Sequence, residues 1–276
     1  MLFDLQSPRR RRVVQIVFGT LAAVFAISFV FFGVGSGGIG GIGDLVGSGG
    51  GGGDASSAFD DDIEAQEQKL RLNPKDTAAL AELVQLHYSA GVQNVDEDGQ
   101  LTSEGEQDLQ QSADAWNKYV KLSKSNVDPG VALVAYQTFD GLAATAFSEA
   151  RASTSSSEAL TQVSAAVANW KAAAQTQRIL IEKEPTSANY TRLAYYLYLA
   201  GETEAADQAV AQATQAKGDD AAAIDEQLKE VEQLGVQLQS AIAQLTKEQQ
   251  AGGGGATEGG SNPIGGLGGG LGGGGL

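Results

Sequence analysis

Apolar residues recur at intervals of three and four positions from residue 59 to residue 250, with charged and amide side chains between them. That spacing places apolar side chains on one face of an α-helix, whereas a half-buried strand would alternate. Alanine, glutamine, glutamate and leucine dominate the region, and long runs of β-branched residues are missing. The pattern predicts an all-α domain over residues 59–250.

Three prolines divide this helical region at nearly equal intervals. Pro74, Pro129 and Pro185 are 55 and 56 residues apart, and each follows one amphipathic segment and precedes another. Proline ends a helix that precedes it but is tolerated in the first turn of the next, where the amide has no partner to lose. The spacing therefore predicts a repeat of helical hairpins.

The third unit carries the most specific motif, with YxxLAxxLxxxG at residues 190–201 and AxxxVxxA at residues 206–213. It resembles the tetratricopeptide (TPR) repeat, in which small residues at these positions let two helices touch closely. Looser forms occur as LxxLVxxHxxxG at residues 80–91 and FxxLAxxA at residues 139–146. The resemblance implies a TPR-like stack of helical hairpins.

A last long helix is predicted over residues 219–249. Its apolar positions continue the three–four spacing, and only Gly235 interrupts them. The apolar positions are Ile224, Leu228, Val231, Leu238, Ile242 and Leu245. One interpretation is a C-terminal capping helix that closes the stack. The alternative is a short coiled coil between copies, which would make the chain a homo-oligomer.

The N-terminal pattern predicts one transmembrane helix. Arg9, Arg10, Arg11 and Arg12 precede Val13–Val34, which are 22 residues without a charge. Such a run spans a hydrocarbon core of about 30 Å. The arginines predict a cytoplasmic segment 1–12, with everything after residue 34 outside the cell membrane. Two alternatives are a cleaved secretory signal and a buried hydrophobic hairpin, although no matching second segment exists.

Small residues share one face of this predicted span, which is a pattern that lets membrane helices approach each other. They are Gly19, Ala22, Ala23 and Ala26, and they form a candidate dimer face.

Glycine marks two further segments. Residues 35–58 and 251–276 hold most of the 37 glycines. Such segments bury too little surface to offset their chain entropy, so the sequence predicts a flexible tether and a disordered tail.

Charge and composition restrict the class of partner. Four arginines and one aspartate give residues 1–12 a charge of +3. Because the net charge of the whole chain is −16, residues 13–276 carry −19. A body this acidic repels nucleic acid and anionic headgroups, which leaves protein or peptide as the partner. The chain has no cysteine and only one histidine, so thiolate, zinc and triad chemistry lack their side chains. The sequence predicts neither an enzyme nor a cofactor.

One loop partly matches a calcium-binding pattern. Asn94, Asp96 and Asp98 place oxygen atoms at alternate positions before Gly99, but the twelfth position is Gly105 instead of glutamate. A solvated acidic hairpin loop is the simpler interpretation. His87 occupies a packing position, so we expect an interior, hydrogen-bonded histidine.

The TPR resemblance implies a partner-binding groove lined by the first helix of each hairpin. Its side chains, carried over by position, would be Gln85, Tyr88, Asp140, Phe147, Tyr195 and Tyr198. Tyrosines suit such a surface because they join a large apolar face to a hydroxyl.

The expected function is therefore a single-pass membrane scaffold with an extracytoplasmic protein-binding domain. Its layout is similar to that of bacterial membrane-anchored TPR proteins in secretion or envelope assembly. Two alternatives stay open. One is a structural oligomeriser that uses the membrane face and the last helix. The other is a glycoside-cleaving enzyme, which needs two carboxylates across a cleft, although no pair stands out among 34 acids.

Overall fold

The computed structural model describes residues 57–96, 99–216, 221–250 and 262–267, and these residues contain eight helices. The helices are α1 (Ser57–Leu72), α2 (Thr77–Gln93), α3 (Ser103–Ser123), α4 (Pro129–Ala152), α5 (Ser156–Lys183), α6 (Ser187–Leu199), α7 (Thr203–Gln215) and α8 (Ala221–Gln250). The prediction of an all-α domain is confirmed.

The predicted N-terminal features lie outside the described residues. These features are the arginine run, the span 13–34 with its candidate dimer face, and the tether as far as residue 56. Of the helices in the part of the chain that the structure does describe, none has both the length and the apolar composition needed to cross a bilayer.

The helices pack in sequential pairs, as the repeat of prolines predicts. The pairs α2–α3, α4–α5 and α6–α7 form hairpins, and each helix also packs against its successor. Pro74 and Pro185 lie in the turns that precede α2 and α6, and Pro129 is the first residue of α4. The Asp128 side chain accepts a hydrogen bond from the Gly130 amide at 2.7 Å, which caps α4.

The last helix closes the stack. Helix α8 packs on α5, α6 and α7, and its apolar stripe is buried in the same core as the hairpins. Ile224 is 2 % exposed and Leu238 and Leu245 are 0 % exposed. The packing of α8 on the preceding helices is what the capping interpretation expects.

Two glycines, one just after α6 and one within α8, lie where these two helices pack together. Gly201 has a φ of 76°, a left-handed conformation that favours glycine, and its amide donates to the Tyr198 carbonyl oxygen at 2.9 Å. The next amide, of Glu202, donates to the Leu197 oxygen at 2.8 Å, which completes a Schellman motif. Gly235 lies where a Cβ atom would overlap the carbonyl oxygen of Tyr198. The interruption in the α8 pattern is therefore a point at which the backbones of α6 and α8 approach closely.

A six-residue segment of the tail lies against the domain. Residues 262–267 form a turn whose Ile264 side chain is 0 % exposed and belongs to the main core. The sequence predicts disorder throughout 251–276, and for these six residues the structure differs. The composition of a segment predicts how little surface the segment can bury by itself. It does not predict that another part of the chain forms a site in which one of its side chains is buried.

Candidate protein-binding surface

Three first helices of successive hairpins, α2, α4 and α6, contribute to one cluster of polar aromatic side chains. Some Cα atoms of α2 and α4 lie within 8 Å of each other, whereas those of α4 and α6 nowhere do in the described residues. Side chains bridge that gap, because the rings of Tyr136 on α4 and Tyr196 on α6 have centroids 6.3 Å apart. The cluster therefore lies along the boundary between neighbouring hairpins, and we call the part between α4 and α6 the seam.

Aromatic and cationic contacts hold the seam together. The ring of Tyr195 stands edge-on to that of Tyr196, with centroids 5.2 Å apart and an interplanar angle of 85°. The guanidinium carbon of Arg192 lies 5.3 Å from the centroid of the Tyr136 ring, which is within range of a cation–π interaction. The contacts of Arg192 and Tyr196 with the Tyr136 ring join α6 to α4, whereas the contact between Tyr195 and Tyr196 lies within α6.

A partly buried carboxylate, that of Asp140, belongs to the cluster. Burial raises the pKa of Asp140, and a hydrogen bond from the Tyr196 side chain opposes the rise without cancelling it. Burial also raises the pKa of Tyr195 to about 12, and the negative charge of Asp140 adds to this. The pKa of Tyr88 is raised by burial first, then by Tyr136 and Asp140. Residues from α2, α4 and α6 thus act on one another electrostatically.

Three of the six side chains predicted for the groove meet here. We call Tyr88, Asp140 and Tyr195 the tyrosine surface; each is partly exposed and comes from a different hairpin. Gln85 is also partly exposed and precedes Tyr88 by three positions, which places it on the same side of α2.

The other two predicted groove residues lie in the interior. Phe147 is 6 % exposed, and its ring packs on the Trp170 indole of α5 with centroids 5.6 Å apart. Tyr198 is also 6 % exposed, and its hydroxyl donates to Asp207 Oδ1 of α7 at 2.7 Å. Both side chains are thus almost completely buried, so neither offers a face to a partner.

Sequence reasoning missed Tyr136, Arg192 and Tyr196. A usable signal existed, because Arg192 and Tyr196 are four positions apart on one helix, as are Tyr136 and Asp140 on another. Residues at this spacing are neighbours on a helix surface.

The structure describes the lone histidine and part of the acidic loop. His87 is 5 % exposed and its Nδ1 lies 3.2 Å from Asp108 Oδ1 on α3, so the prediction of an interior histidine is confirmed. The Asp96 carboxylate accepts the Gln100 amide at 2.8 Å, while Asp98 lies outside the described residues. Those residues hold no group of three or more His, Cys, Asp or Glu placed to bind a metal ion.

No protein-family model, curated protein or solved structure matches this chain. Its described part is an all-helical domain of eight helices packed in sequential pairs.

Proposed function

We propose that this chain is a single-pass membrane scaffold whose TPR-like extracytoplasmic domain binds a protein partner, in secretion or envelope assembly. The observation that carries the proposal is the tyrosine surface, to which three successive hairpins each give one partly exposed side chain. In the TPR family the first helices line the partner-binding groove, and here Tyr88, Asp140 and Tyr195 all lie on first helices.

The chemistry of the tyrosine surface suits a peptide with a hydrogen-bond donor. A carboxylate offers about four acceptor positions, and the Tyr196 hydroxyl uses one of those on Asp140. A lysine, arginine or amide group of a partner would satisfy further acceptor positions while its apolar part packs on the Tyr88 and Tyr195 rings. The acidic body of the chain attracts a basic partner in the same way.

The membrane part of the proposal depends on the sequence of the first 34 residues. Four arginines before an uncharged run orient the domain outward, and a glycine-rich tether of about 20 residues has a root-mean-square span of about 25 Å. The tyrosine surface would then search a small volume next to the membrane. A partner in the same membrane or envelope layer is the expected ligand.

Site-specific photocrosslinking in intact cells tests the surface. A photoreactive phenylalanine in place of Tyr88 or Tyr195 is expected to capture the same protein partner. The matched control is the same residue in place of Ser164, which is exposed on α5, a second helix of a hairpin. If both tyrosine positions captured no protein, or captured the same set as position 164, the proposed surface would be wrong.

Replacing Asp140 with asparagine is expected to raise the melting temperature at pH 7. Because burial raises the pKa of Asp140, the folded state binds more protons than the unfolded state just above the ordinary value of 3.8. Stability therefore falls as pH rises from that value through the raised pKa, and the loss persists above it. Asparagine is neutral, and its Oδ1 still accepts from Tyr196, so the difference from the natural protein should disappear below pH 3.8.

The control for this titration is Asp114→Asn, an equal change of charge at an exposed position on α3. Melting curves of both variants across pH separate the local effect from the effect of net charge. A D140N variant that melts at or below the natural protein at pH 7 would contradict the prediction. We also expect D140N to weaken capture of the partner, since the acceptor for its donor group is then a neutral oxygen.

A further inference from the structure

The tail supplies a cap for a helix more than a hundred residues away. The Asn262 side-chain amide donates to the carbonyl oxygens of Ala150 at 2.7 Å, Ser153 at 2.9 Å and Arg151 at 3.4 Å. The last four carbonyl groups of a helix have no partner within the helix. Asn262 satisfies such groups at the end of α4, and its bonds span 109 to 112 residues of chain.

The segment has internal structure of its own. The Ile264 amide donates to Asn262 Oδ1 at 2.9 Å, so one asparagine side chain both caps α4 and folds its own turn. The Gly265 amide donates to the Asn262 carbonyl oxygen at 3.1 Å, and the Leu267 amide donates to that of Ile264 at 3.0 Å. Pro263 fixes one backbone angle, which lowers the entropy lost on docking.

The docked segment differs in composition from the glycine around it. Asparagine, proline and isoleucine occupy positions 262–264, whereas glycine fills most positions on either side. The isoleucine side chain is completely buried, and burial of such a side chain contributes about 2 kcal/mol. At Gly265 a Cβ atom would lie 3.3 Å from the Asn262 oxygen and 3.4 Å from the Arg151 oxygen, whereas at Gly266 it would meet nothing within 4 Å. The contacts between the tail segment and the end of α4 thus depend on the identity of residues 262–265.

The end of α8 lies close to the corner between α4 and α5. The Ser156 hydroxyl, at the start of α5, donates to the Glu248 carboxylate at 3.0 Å, two residues before α8 ends at Gln250. Eleven residues, 251–261, then connect α8 to Asn262. A flexible chain of that length and composition has a root-mean-square span of about 18 Å.

We propose that the C-terminal end of α4, with the adjoining apolar residues that bury Ile264, is a binding site for a short Asn-Pro-Ile-Gly peptide, filled in cis by the chain's own tail. A linker this short holds the tail at an effective concentration in the millimolar range. A free peptide of the same sequence therefore enters only when the tail is released. This site is separate from the tyrosine surface and does not depend on its function.

A peptide-binding assay on the full chain in detergent micelles tests the proposal. The probe is a fluorescent peptide with the sequence of residues 259–268, GGSNPIGGLG. The double variant Asn262→Ala with Ile264→Asp releases the tail and leaves the site open. We expect this variant to bind the probe at least about tenfold more tightly than the natural chain. A scrambled peptide of the same composition should bind neither protein.

Two single variants provide a matched pair that leaves Ile264 in place. Gly265→Ala crowds the Arg151 and Asn262 carbonyl oxygens and is expected to increase binding of the probe, whereas Gly266→Ala enters open space and is expected to leave it unchanged. Circular dichroism establishes that each variant is folded. Equal binding of the probe to the natural chain and the folded double variant, or no binding to either, would overturn the proposal. So would identical behaviour of G265A and G266A.

Discussion

Replacing Gly235 with alanine is expected to lower the free energy of unfolding by about 3 kcal/mol. The added Cβ atom would overlap the carbonyl oxygen of Tyr198, and a backbone atom cannot rotate away as a side chain can. In an exposed helix the same change would stabilise by about 1 kcal/mol, because alanine is the better helix former. The sign of the effect is therefore set by the contact between α8 and α6. Denaturant titration followed by circular dichroism measures it.

Gly141→Ala is the matched control, because Gly141 also lies inside a helix. There the Cβ atom would lie 3.1 Å from Leu109 Cδ1, the end of a flexible side chain that can move by a few tenths of an ångström. We expect a change within about 1 kcal/mol of the natural protein. If G235A were as stable as G141A, α8 would not pack on α6 at this point.

The second large effect is expected for Phe147→Ala, with a loss of about 3–5 kcal/mol of stability. The Phe147 ring is buried against Trp170, so its removal leaves a cavity between α4 and α5. Tyr195→Ala removes a partly exposed ring and should cost about 1 kcal/mol. Thermal unfolding of the two variants distinguishes an interior ring from one that faces solvent.

The two variants should have the opposite order of effects on partner capture, with a larger loss in Y195A than in F147A. At a temperature where both variants are folded, photocrosslinking from position 88 is expected to survive in F147A and to weaken in Y195A. An F147A protein that melted like the natural chain but lost its partner would restore Phe147 to the binding surface. It would also contradict the packing of Phe147 on Trp170.

Much of the fold could be predicted from the sequence because its determinants are local. Local signals mark these elements: the apolar spacing within each helix, a proline before α2 and α6 and at the start of α4, and a glycine after α6. The role of Gly235 could not be predicted in this way. Its pattern reveals an interruption, but the Tyr198 carbonyl oxygen that requires glycine belongs to another helix.

The tyrosine surface shows the same limit of prediction from sequence. Position in a repeat placed Tyr88, Asp140 and Tyr195 on the first helices, but it could not decide which rings a second helix covers. The Phe147 ring packs on Trp170 and the Tyr198 hydroxyl bonds to Asp207, and both partners belong to the next helix of the hairpin. The docked tail segment was missed for the same reason, since its partners are carbonyl groups at the end of α4.

The distance between Asn262 and its partners also sets an order of events during synthesis. Each hairpin joins neighbouring segments, so the stack can form as the chain lengthens, and such local pairing is fast. The bonds from Asn262 to Ala150 and Ser153 must wait until residue 262 has left the ribosome. The carbonyl groups at the end of α4 are thus the last groups of the described stack to receive their hydrogen-bond partner. Until residue 262 has emerged, the nascent chain lacks both the Asn262 bonds and the buried Ile264 side chain.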